Sequence, residues 1–98
     1  MLEYLVEFLG TFIFLSVIIV TGNPLAIAIA LAAVIYMGGK VSGGHYNPAV
    51  NVMMFLNGKM STESLIGQTI AQLLGAVAAF YYYKTLKSRK MLWEEREI

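Results

Sequence analysis

The chain has no cysteine and little charge. Without thiols it can form neither a disulfide nor a thiolate metal site, and it carries no mark of a redox compartment. Only 13% of its 98 residues are charged, where soluble domains carry about a quarter, and 58% are hydrophobic. Mean hydropathy is +0.68. Charge is also badly spread, with none between Phe8 and Lys40 and none between Gly67 and Tyr83. A soluble helical bundle would need polar faces along those runs, and too few polar residues stand there to build them. The composition therefore points to an integral, multi-pass membrane protein. The length supports one domain, without repeats or low-complexity segments, and a net charge of +1 argues against a nucleic-acid partner. The N-terminus, MLEYLVEFLG, lacks the basic stretch of a cleavable signal, so its apolar run is expected to stay as a span.

Three hydrophobic runs are long enough to cross a bilayer. The first, Leu5 to Val20, ends at Thr21-Gly22-Asn23-Pro24, a turn signature whose proline suits the first turn of the next helix. The second covers Leu25 to Gly39. The third runs from about Leu65 to Tyr83, opened by the cap-like Met60-Ser61-Thr62-Glu63 and closed by three tyrosines and Lys84, an interfacial anchor. Between the second and third lies SGGHYNPAVN, residues 42–51, and an apolar stretch from Pro48 to Leu56 that stops at Asn57-Gly58. That stretch would make a helix of about 14 Å, roughly half the hydrocarbon thickness. It is too short to cross and too apolar for water, so a re-entrant half-helix is expected. Irregular backbone at that depth is tolerated where it is buried in protein or lines a wet cavity. The expected fold is all-α: three transmembrane helices and one re-entrant half-helix over residues 1–84, then a charged tail over 85–98. The tail reads as a solvated end that stops transfer, with a lipid-surface anchor as the less favoured function.

Asn47-Pro48 is a helix start, asparagine as cap and proline in the first turn. If the Asn47 carbonyl accepts an orphan N–H, its NH2 donors are left for the cavity, beside the positive end of the half-helix. Gly43 and Gly44 allow an extended backbone whose carbonyls, with that of His45, form a file of acceptors. Donors at the centre and acceptors along the approach suit neutral hydrogen-bonding solutes and repel cations. No nucleophile pairs with the lone histidine and no metal-ligand cluster is present, so neither an enzyme nor a cofactor is expected.

S-G-G-H-Y-N-P-A-V resembles the first signature loop of the aquaporin and glycerol-facilitator family, the major intrinsic proteins. E-F-L-G-T (7–11) and A-Q-L-L-G-A (71–76) support the resemblance, which covers nearly all of the chain before the tail. It implies one of two inverted repeats whose Asn-Pro-Ala caps, here Asn47, Pro48 and Ala49, meet at the bilayer midplane. It further implies that Glu7 and Gln72 hold the loop, with His45 bracing it rather than gating by pH. The small residues Gly67, Ala71, Gly75 and Ala79, four apart, read as a helix-packing stripe. In a pair of copies the family's filter positions fall on Ile27, Ile35, Gly44 and Val50. A water-selective member would show an aromatic residue, a histidine and an arginine there, so a more permissive filter is implied.

The resulting expectation is one subunit of a passive channel for water or small uncharged solutes such as glycerol, set in membrane lipid and completed by a second half-repeat. An antiparallel homodimer is the favoured assembly, because a pseudo-two-fold pore requires both orientations. The alternatives are a half-channel that needs a different partner chain, and a non-conducting membrane protein that only packs against other helices. Lysine and arginine bias works against the homodimer. The loop side carries Lys40 and Lys59, the tail Lys84, Lys87, Arg89, Lys90 and Arg96, which favours a cytoplasmic C-terminus.

Overall fold

The computed structural model describes residues 1–97, with side chains through Arg89. Four helices follow in order: α1 (Leu2–Thr21), α2 (Pro24–Ser42), α3 (Pro48–Leu56) and α4 (Thr62–Glu97). Three of them, α1, α2 and the part of α4 from Thr62 to Arg89, are long and apolar enough to cross a membrane. At nine residues, α3 is the half-helix expected from its length. Helix α4 continues without a break into the tail as far as Glu97. The tail side chains past Arg89, with Lys90 and Arg96 among them, lie outside the described residues.

Local chemistry sets the helix ends. Gly22 takes a left-handed conformation (φ 56°) and its N–H closes α1 on the Ile18 carbonyl. One residue later the Asn23 side chain caps α2, accepting from the Ala26 N–H at 2.9 Å, with Pro24 in the first turn. Ser61 caps α4, its hydroxyl accepting from the Ser64 N–H at 3.1 Å. Helix α2 outlasts its apolar run by one turn, through Lys40, Val41 and Ser42, because Lys40 is exposed while Ser42 is turned inward.

Helix α1 is the centre of the bundle. It packs on α2 and on α4, and α3 packs on α4. Small residues permit the α1–α4 approach. The Tyr4 ring lies over Gly67, the Phe8 backbone and Thr11 lie over Gly75, and Ala71 and Ala79 are buried on the same stripe.

The interior is polar and the exterior apolar. The largest fully buried side chains are Gln68, Gln72, Glu7 and Asn51, while leucines, isoleucines and valines of all three long helices stand exposed. In water this arrangement would be costly on both counts. In lipid it is the stable one, because apolar side chains meet acyl chains and polar groups must find partners inside.

Candidate functional site

The interior polar residues hold the loop between α2 and α3. Glu7, on α1, is 0% exposed. One carboxylate oxygen accepts from the Tyr46 N–H and from Gln72 Nε2, both at 2.7 Å. The other accepts from the Ser42 hydroxyl at 2.7 Å and the His45 N–H at 3.1 Å. A carboxylate only accepts, so it is suited to satisfying several loop donors at once. Such bonds are stronger than neutral ones, the more so away from water.

The carboxylate also orders the side chains around it. Because Glu7 accepts, the Gln72 amide must turn its nitrogen toward it, which leaves Gln72 Oε1 to accept from Asn51 Nδ2 at 2.8 Å. Asn51 Nδ2 also donates to Thr69 Oγ1 at 3.0 Å. The Asn51 oxygen then faces His45 Nδ1 at 2.8 Å, so that nitrogen carries a hydrogen and, in the neutral ring, Nε2 is the acceptor. Gln68 Nε2 donates to the Ser42 carbonyl at 2.9 Å and ties the end of α2 to α4.

Within this frame the loop takes an unusual path. Gly43 and Gly44 have φ of 94° and 65°, and Tyr46 has φ of 51°, which costs a non-glycine residue on the order of 1–3 kcal/mol. Tyr46 is held there from both ends. Its N–H is bound by Glu7, its hydroxyl donates to the Val34 carbonyl at 2.6 Å, and its ring fills the space left by Gly10 and Gly38. The carbonyls of Gly43, Gly44 and His45 accept no hydrogen bond from the described residues.

Asn47 ends the loop. Its side-chain oxygen accepts from the Ala49 N–H at 2.8 Å and caps α3, while its nitrogen makes no hydrogen bond among the described residues and the side chain is exposed. Pro48 and Ala49, the first two residues of α3, are exposed beside it. The four positions expected at the filter, Ile27 from one copy and Ile35, Gly44 and Val50 from the other, are spread over α2, the loop and α3. Gly44 packs against the α2 backbone at Ile35, where an added Cβ would lie 3.3 Å from the Ile35 Cα. Val50 is half-buried in the first turn of α3, and Ile27 sits two turns before Ile35, about 12 Å along α2.

Three members of the network are not singled out by the motif: Asn51, Gln68 and Thr69. Asn51 had a signal, being the one polar side chain inside an otherwise apolar half-helix. Gln68 precedes Gln72 by one helical turn and so shares its inward face.

The chain matches the family model described as Major intrinsic protein over residues 1–96. It is 42% identical over 97 residues to "Glycerol uptake facilitator protein-like 6" of Lactiplantibacillus plantarum, covering 90% of this chain and 45% of that protein. It is 40% identical over 58 residues to "Aquaporin Z" of Brucella melitensis (59% of this chain, 25% of that protein). With "Lens fiber major intrinsic protein" of Gallus gallus it shares 42% over 59 residues (60% and 22%). No solved structure matches. The chain thus spans less than half the length of these relatives. Signature loop, inward-facing carboxylate, membrane-length helices and a match along nearly the whole sequence agree, and the chain belongs to the major intrinsic protein family of integral membrane proteins.

Proposed function

We propose that the chain supplies one half of a passive channel for water and small uncharged solutes such as glycerol. The observation that carries this reading is the division of labour in Asn47. Its oxygen is committed to the Ala49 N–H, so its nitrogen alone is left to face a solute. A hydroxyl or water oxygen accepts from that nitrogen, and the three carbonyls of residues 43–45, unpaired among the described residues, accept from the solute's hydrogens on the approach. A cation meets the positive end of α3 at the same point. Ile27, Ile35, Gly44 and Val50 would form the filter, an apolar mouth without fixed charge that admits small polyols. The names of the relatives, a glycerol uptake facilitator and an aquaporin, support the same solute class.

A half-repeat needs a second one. In our reading this is a second copy in the opposite orientation, which brings two α3 caps together at the midplane and covers both polar loops. A different partner chain is the second reading, favoured by the excess of lysine and arginine in the tail. A C-terminal tag probed from each side of intact cells separates them. The homodimer requires tags on both faces, and tags confined to one face leave the second reading.

A further inference from the structure

Toward the tail end of the bundle helices α1 and α4 wall a groove of about 420 Å³, lined by Phe12, Ile13, Val17 and Val20 of α1 and by Tyr82 and Leu86 of α4. We propose that this groove binds one acyl chain of an anionic phospholipid whose phosphate is held by Arg89. Its α1 wall runs from Phe12 to Thr21, about 14 Å of helix, which matches one leaflet's share of the hydrocarbon core. Tyr82, Leu86 and Arg89 are spaced four and three residues apart, so Arg89 follows the groove's own stripe one turn beyond its outer end.

Charge at this end is of one sign through residue 89. No carboxylate occurs between Glu7 and Glu63, nor again before Glu94, while Lys84, Lys87 and Arg89 follow the tyrosines closely. Lys84 and Lys87 lie over the rings of Phe80 and Tyr83, which leaves Arg89 as the cation on the groove line among the residues whose side chains are described. A guanidinium there can grip a phosphate with two parallel hydrogen bonds. Ser16 also lines the groove, 8% exposed, and its hydroxyl is buried without a partner among the described residues.

The test uses the full chain in mixed micelles of phosphatidylglycerol and phosphatidylcholine, with retained lipid counted by native mass spectrometry. Phosphatidylglycerol should be kept in preference to phosphatidylcholine. Arg89→Gln should weaken its retention about fivefold, the effect of one basic residue near an anionic surface. Val20→Trp leaves charge unchanged and fills the groove from an exposed position, and it should abolish the preference. If that variant loses helix content, Leu86→Ala, which removes part of the opposite wall, should still weaken retention. Equal retention of the two lipids overturns the proposal. So does an unchanged preference in Arg89→Gln or in the groove variant, which would mean attraction to the basic end as a whole. A wild-type dimer that carries no phosphatidylglycerol, and that Val20→Trp dissociates, overturns it in favour of a second copy in the groove.

Discussion

Glu7 and Gln72 are 65 residues apart in sequence and 2.7 Å apart in space, carboxylate oxygen to amide nitrogen. That contact joins the first helix of the bundle to the last, and the loop hangs from both. Glu7 takes the two loop N–H groups directly, and Gln72 passes its orientation through Asn51 to the ring of His45. A motif in the middle of the chain thus gets its shape from residues on the first and the last helix.

Glu7→Ala should therefore strip acceptors from two backbone N–H groups at once. At ~1–3 kcal/mol for each buried group left unpaired, the cost is about 2–6 kcal/mol before Ser42 and Gln72 are considered. Glu7→Gln keeps one acceptor oxygen and should lose less. Thermal unfolding in detergent checks the order, and equal losses would contradict a role based on acceptor count.

Gly10→Ala should be far more damaging than Gly39→Ala. A methyl on Gly10 overlaps the Tyr46 ring, whereas one on Gly39 meets nothing within 4 Å. Overpacking of this kind costs ~1–3 kcal/mol, and displacing Tyr46 also breaks the bond from its hydroxyl to the Val34 carbonyl. In the helix interior Gly39→Ala should be neutral or stabilising by up to ~1 kcal/mol. Far-UV circular dichroism melts of the two variants give the comparison.

The spans, the half-helix and the helix caps were legible because each rests on local chemistry: run length, a proline, an asparagine or serine at the right offset. The end of α2 was less so. Apolarity stops at Gly39, yet the helix goes on to Ser42, since a helix end needs only one inward residue with a partner, and Ser42 finds Glu7. The full network was hidden for a related reason. Asn51 and Thr69 become meaningful only when α3 is laid against α4, and Gln68 only when the end of α2 is, and no periodicity within any one helix says which side chains will meet. The hydroxyl of Tyr46 reaching Val34 across the loop depends on a left-handed conformation at a non-glycine residue, which sequence pattern does not announce.

Val50→Arg should convert a permissive mouth into a narrower, charged one. Val50 is half-buried in the first turn of α3, where a longer side chain can reach along the loop. The parent should pass glycerol, and the variant should pass water in preference to it. Light-scattering traces of vesicles shocked with sucrose and with glycerol measure both. A parent that passes water and rejects glycerol would contradict the permissive filter.

Asn47→Asp tests the account at its centre. The variant keeps the oxygen that caps Ala49, so α3 should still form, but it loses the nitrogen and places an anion at the positive end of the half-helix. The decisive measurement is stopped-flow glycerol entry into vesicles holding equal amounts of parent or variant, both shown to be inserted and helical. The account predicts entry well above protein-free vesicles for the parent and a clear fall toward that baseline for the variant. A parent no faster than empty vesicles, or a variant as fast as the parent, would contradict it.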